Sequence, residues 1–412
     1  MRKRNEDRYL TVPIPAQSIG AAACIVLRHL LIAGDPHVPQ KPPTLPSFRA
    51  EHIGSFLRPD RLMTAVRQAR DGKVSGEALR AVQNECIREL VAMEEAVGLS
   101  SVTDGEFRRR GWSAGFIDAV EGFGLREGTL LGFRDEKGDK GGAASPYAKA
   151  PLKRTRGIAT DEFRFLKSVV KTGLPKVTIP SPDVMHYFLG PKSVDEKVYP
   201  DIERYYADLV SIYAAEIREL ASLGCTYLQL DNPALPCNCD LHARAAVQAR
   251  GEDPDALTER YVELVNAALA ACPPGMAKAT HMCRGNLKGA WMAEGGYEPI
   301  AEEVFGGLNV DAFLLEFDTP RAGDFRPLRF VPAPKKVVLG LISTKTPQLE
   351  SADELKRRIH EAAKFVPLER LGISPQCGFS SAPGAGQPLS GDDQKRKLEL
   401  LVRVARDVWG SA

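Results

Sequence analysis

The sequence carries no surplus of either charge: Lys plus Arg number 55 and Asp plus Glu 53. That near balance removes the electrostatic footprint of a nucleic-acid or anionic-membrane binder and leaves a small molecule as the default ligand. Long apolar runs are also lacking. The stretch from Ile19 to Ala33 is interrupted by Arg28 and His29, short of the roughly 18 uninterrupted residues that a membrane span requires. Cysteine is sparse, with eight (24, 86, 225, 237, 239, 272, 283 and 377) scattered over 412 residues, a length that builds a core without disulfide staples. Free thiols then point to a reducing, cytoplasmic setting in which burial or metal binding accounts for them. No G-x-G-x-x-G follows the first β-rich run, so the phosphate cradle of a dinucleotide fold is missing.

What is present is alternation. Beyond the proline-rich linker "PHVPQKPPTLP", short β-rich runs alternate with longer segments of helical period, the pattern of repeated βα units. The strands are expected at 49–55, 101–106, 176–181, 226–231, 276–283, 312–318, 337–344 and 371–377. Segments such as "DIERYYADLVSIYAAEIRELASLG" and "ADELKRRIHEAAKFV" lie between them, with apolar residues every three or four positions. Eight strands with eight following segments predict an α/β fold, a single (β/α)8 barrel over residues 48–412. Residues 1–47 are read as a poorly structured extension. The long second connection, with "FRDEKGDKGGAASPYAKAPLKRTRG", reads as a surface excursion or partly mobile loop.

A barrel of this kind gathers its active site at the carboxyl ends of the strands, where the eight loops share one mouth. The expected strands end in "HIGS", "TDGE", "QLDNP", "THMC", "LLEFD", "STKTP" and "SPQCG", so titratable and soft-ligand residues fall at nearly every one. His281, Cys283, Glu316 and Cys377 offer one nitrogen, two sulfurs and a carboxylate, the donor types that zinc accepts in a tetrahedron. The bare His281-x-Cys283 pair by itself reads more readily as a packed histidine beside an inert thiol. A second cysteine and a glutamate at the same mouth tilt the reading to a metal. A compact alternative, Cys237, Cys239 and His242 in "CNCDLH", lacks an evident fourth ligand and reads better as packed or solvated side chains.

The segments "AEHIGSFLRP", "TDGEFRR", "YLQLDNPAL", "THMCRGN", "FLLEFDTPR" and "ISPQCG" occur in one order. Together they resemble the catalytic domain of cobalamin-independent methionine synthase, and more closely its short bacterial relatives, from about residue 48 to the C-terminus. The resemblance implies a zinc-dependent transfer of a methyl group to the thiol of homocysteine, giving methionine, with His281, Cys283, Glu316 and Cys377 as zinc ligands. It further implies that the I-G-S turn holds the amino acid through Ile53 and Ser55, and that Glu106 and Asp231 grip its amino group. Without it, Asp231 reads as a strand-end cap and Glu106 as a partner for Arg108 to Arg110. Lys345 stands where the family has a histidine thought to protonate the departing folate; a lysine is a poorer proton shuttle at neutral pH and a better anchor for an anion. The methyl donor is left open among methyltetrahydrofolate, a methyl-corrinoid protein and some other alkyl donor. Two other readings stay open: a thiol alkyltransferase like the epoxyalkane to coenzyme M enzymes, for which Arg108, Arg109, Arg110 and Trp112 in "FRRRGW" offer an anion site, and a barrel whose zinc is not catalytic.

Overall fold

The computed structural model describes residues 45–142, 144–380, 384 and 388–412. The extension drawn at residues 1–47 lies, apart from its last three residues, outside the described residues. Parallel pairing runs in order from Leu371–Pro375 through Lys336–Ile342, Ala312–Glu316, Ala277–Met282 and Tyr227–Asp231 to Val177–Pro180. Ser101–Val102 adds to Leu174–Pro175 at the near edge. At the far edge Ala50 bridges to Ile373, with the Glu51 N–H donating to the Ile373 carbonyl at 2.9 Å. Eight strand positions thus follow one another around a (β/α)8 barrel.

The first two strands are shorter than the sequence pattern predicts. Gly54 (φ 128°), Gly105 (φ 67°) and Glu106 (φ 60°) all occupy left-handed backbone, which cannot continue a ladder. The seam between the two segments is carried instead by the Thr103 hydroxyl donating to the Gly54 carbonyl at 2.7 Å and the Phe56 N–H donating to the Gly105 carbonyl at 3.2 Å. A Cβ on Gly54 would lie 2.7 Å from Thr178 Cγ2, so this turn admits only glycine.

Period-two alternation sorts each strand into two faces. Phe313 and Leu315 pack outward among the helices, whereas Ala312 and Leu314 point into the barrel with Phe48, Tyr227, Ala277, Ala279 and Val338. The same phase carries Asp231, His281 and Glu316 inward at the carboxyl ends of their strands. Small alanines fill the narrow interior, and a buried ion pair crosses it, with Lys176 Nζ 3.1 Å from Glu51 Oε2. Removing one partner of such a pair costs about 3–5 kcal/mol, because the other is left charged and unpaired.

The outer helices begin where the sequence supplies caps. Asp201 accepts from the Glu203 N–H at the start of Ile202–Ser222, Asp253 caps Pro254–Leu269, and Ser390 with Asp393 forms a capping box ahead of Gly391–Trp409. Helix Ile202–Ser222 buries Tyr205, Leu209, Ile212, Tyr213, Ile217 and Leu220 on one side. Among the described residues no helix is long and apolar enough to cross a membrane.

The long second connection is more ordered than its composition suggests. Val120–Arg126 pairs antiparallel with Ser145–Arg154, and Phe133–Asp135 with Gly138–Gly141. The Gly- and Lys-rich "EKGDKGG" supplies hairpin turn and edge residues, and Arg134 exchanges backbone hydrogen bonds with Trp291 at 2.8 and 2.9 Å. That bridge fastens the excursion to the loop after the Ala277–Met282 strand.

Candidate active site

A cavity of about 220 Å³ opens at the carboxyl ends of the strands. Ile53, Ser55, Glu106, Asp231, His281, Cys283 and Cys377 all line it. Seven of the nine residues singled out from the sequence therefore meet at one place; Glu316 and Lys345 stand just behind it.

His281 Nδ1 lies 3.2 Å from the Leu314 carbonyl oxygen. A carbonyl can only accept, so Nδ1 carries a proton, and Nε2, which has no oxygen or nitrogen partner, is the ring nitrogen left to meet a metal. Ligand atoms of His281, Cys283 and Cys377 lie within 4.8 Å of one another, all three side chains buried. Hydrogen bonding from Cys377 and then the proximity of His281 hold the Cys283 thiol well below the ordinary cysteine range, against the effect of burial. The same bond to Cys283, with burial, raises Cys377. An imidazole whose far nitrogen is tied to a carbonyl, beside two sulfurs of which one readily loses its proton, is a donor set suited to zinc.

The fourth expected ligand is placed differently. Glu316 ends its strand facing inward, but its carboxylate is outside the three-residue cluster. Oε2 accepts from the Arg284 N–H at 2.6 Å, while Oε1 lies 3.3 Å from Lys345 Nζ and 3.4 Å from an Arg321 guanidinium nitrogen. Burial disfavours the Glu316 anion, yet Lys345 first, then Arg284 and Arg321, hold its pKa at about 2. The Lys345 side chain is largely covered, and its Nζ lies 3.9 Å from Asp318 Oδ2.

Two carboxylates mark the opposite wall. Glu106 accepts from the Thr178 hydroxyl at 3.1 Å and faces Arg109 at 3.5 Å, leaving Oε2 without a partner. Burial raises its pKa, opposed by Arg109 and Arg58. Gln229 donates to Asp231 at 2.7 Å and, with the same amide, to the Ile53 carbonyl at 2.7 Å, tying the first turn to the fourth strand. Burial pushes Asp231 up to about 7 against the pull of nearby His281, and the Glu106 charge adds to the rise. A cation entering between the two carboxylates would relieve both. Gly378 packs flush on Ser55, since a Cβ there would sit 1.9 Å from the serine hydroxyl.

The arginines of "FRRRGW" serve the scaffold. Arg108 bonds Asn84 at 2.6 Å, Arg109 bonds Glu162 at 3.0 Å and the Thr178 carbonyl at 2.7 Å, and Arg110 pairs with Asp118. Only Trp112 of that stretch reaches the cavity, where Phe133, Leu287 and Met292 join it as an apolar wall. Sequence reading missed these last three. Leu287 and Met292 follow the H-x-C motif closely enough to have been suspected, but nothing local marks Phe133. Cys237 and Cys239 are buried and His242 exposed, and they form no metal-ligating group among the described residues.

Known proteins resemble this chain along most of its length. Residues 48–406 match the family profile described as the catalytic domain of cobalamin-independent synthase. The chain is 38% identical to the Bacillus subtilis protein YxjH over 366 residues, 88% of this chain and 95% of that one. It is 26% identical to a methionine synthase of Pyrococcus abyssi, over 81% of this chain and 87% of the relative. A solved Listeria monocytogenes structure, assigned as a vitamin-B12-independent methionine synthase, superposes with a TM-score of 0.70 at 34% identity, covering 88% of this chain and 98% of the other. By the extent of the match and the identities across it, the chain belongs to the family of cobalamin-independent synthase catalytic domains.

Proposed function

We propose that this protein is a zinc-dependent methyltransferase acting on the thiol of homocysteine to give methionine. The observation that carries the reading is the convergence, on one small cavity, of the His281, Cys283 and Cys377 donors with the Glu106 and Asp231 carboxylates. Glu316 is the fourth ligand in this reading. Bound among these residues, zinc supplies the charge that keeps an incoming thiol deprotonated near neutral pH, where a free thiol of pKa about 8.5 is mostly protonated.

The chain's own residues do the rest. Glu106 and Asp231 hold the ammonium group, and the Ile53 carbonyl and Ser55 hydroxyl orient the amino-acid backbone. Together they fix the sulfur at the donor end, and such orientation removes much of the entropic barrier to an in-line displacement. Trp112, Phe133, Leu287 and Met292 exclude water on the side from which the methyl donor, methyltetrahydrofolate or a methyl-corrinoid protein, approaches. Carboxylates at the far end favour an amino-acid thiol over coenzyme M, whose sulfonate calls for free arginine or lysine donors. Arg108, Arg109 and Arg110 are committed to Asn84, Glu162 and Asp118.

The test is product formation by the zinc-loaded protein. With homocysteine and either methyltetrahydrofolate or methylcobalamin, mass spectrometry is expected to find methionine, and with coenzyme M and epoxypropane no thioether. The reverse pattern, or no thiol consumption with any pair, contradicts the proposal.

A further inference from the structure

Glu316 rests in a site built for a carboxylate. Lys345 Nζ and the Arg321 guanidinium approach one of its oxygens at 3.3 and 3.4 Å, and the Arg284 N–H approaches the other at 2.6 Å. Those cations have other holds. Lys345 also faces Asp318, which accepts from the Ser343 hydroxyl at 2.8 Å. Arg321 lies over the Trp291 ring at 4.3 Å and 4.0 Å from Asp318. The receptor therefore persists when the carboxylate leaves. Lys345 is not among the residues lining the cavity, and its ammonium faces Glu316 Oε1 at 3.3 Å.

We infer that Lys345 and Arg321 form an off-metal berth for Glu316, occupied when a substrate sulfur takes the fourth ligand position and vacated only when zinc is bound without a thiol. The inference rests on the zinc–thiol reading above. In the exchange the zinc–oxygen bond to Glu316 breaks as the zinc–sulfur bond forms, and the thiol proton passes to solvent. One anion replaces another at the metal, and the displaced carboxylate meets cations instead of an apolar wall. A buried carboxylate set loose without such partners would be strongly disfavoured, which would oppose thiol entry. Lys345 is thus a positioning residue acting through Glu316, not a proton donor to the leaving group.

X-ray absorption at the zinc edge reads this directly on the full-length zinc-loaded protein. In the wild type, adding homocysteine is expected to remove the oxygen scatterer and add a sulfur. In Lys345→Met the oxygen is retained after homocysteine is added, and zinc affinity without thiol, measured against a chelator, rises about tenfold, the low end of what partners of metal ligands typically control. Lys345→Arg keeps the charge and restores the wild-type exchange. Arg321→Gln shifts in the same direction as Lys345→Met and carries the test if that variant does not fold. A merely structural ion pair would lower the melting temperature of Lys345→Met and leave the exchange intact; that result overturns the inference while the proposed function stands. An oxygen retained by the wild type in the presence of thiol overturns it likewise. Wild-type protein that binds no zinc through nitrogen and sulfur overturns both.

Discussion

Cys283→Ser is expected to lose stoichiometric zinc and nearly all methyl transfer. Its sulfur is one of three donors that converge, and Cys377 and His281 hold it well below the usual thiol range. Serine keeps the volume but offers a hydroxyl that stays protonated, so of the three fixed donors only His281 and Cys377 remain beside the exchangeable Glu316. Loss of a partner outside the ligand shell typically costs about 10- to 100-fold in metal affinity or activity, and loss of a ligand itself should exceed that. Elemental analysis after dialysis and the rate of methionine formation measure the two effects. Because zinc bound only by the native state raises the melting temperature, the variant should melt with chelator-treated wild type. Cys239→Ser, outside the cluster, is the control that retains zinc.

The second large effect is one of recognition. Glu106→Gln is expected to weaken homocysteine binding while sparing a thiol without an amino group, such as 4-mercaptobutanoate. Glu106 is held at φ 60°, a backbone conformation that costs a non-glycine residue about 1–3 kcal/mol and tends to persist at functional sites. Glutamine preserves the shape and the bond from Thr178, so the change removes chiefly the charge facing the ammonium group. Truncating one side of a buried charge pair costs about 2–5 kcal/mol, or roughly 30-fold to several thousandfold in affinity. Calorimetric titration with both thiols separates this from misfolding. Equal losses for the two would show that Glu106 does not meet the amino group.

Legibility in the sequence followed the range of the physics involved. Alternation along a strand is local, so "YLQLD", "AKATHM" and "AFLLE" announce that Asp231, His281 and Glu316 face inward at the mouth, and the structure places them there. The strands themselves were readable wherever the backbone stays extended. The strand expected at 49–55 is cut short, because Gly54 turns the chain soon after Ala50 and Glu51 have paired with Ile373. The carboxylate of Glu316 points where it does because Lys345 and Arg321, on two later loops, bring their charges to it, and no spacing within "LLEFD" encodes that. Phe133 enters the cavity only because Arg134 pairs with Trp291, well over a hundred residues away. Contacts between distant loops set these placements, and the chain between them carries no sign of the pairing.

The most direct measurement of the central claim is the number of protons released when homocysteine binds the zinc-loaded protein near neutral pH. Calorimetric titrations in buffers of different ionisation enthalpy give that number. A thiol with a free pKa of about 8.5 that binds as thiolate must release nearly one proton per site. Zinc-loaded wild-type protein is expected to release about one proton more than metal-free protein or Cys283→Ser, because any proton that Asp231, near 7 in the empty site, gives up to the ammonium group is common to all three. Binding without proton release, or the same release with and without zinc, would contradict the central claim.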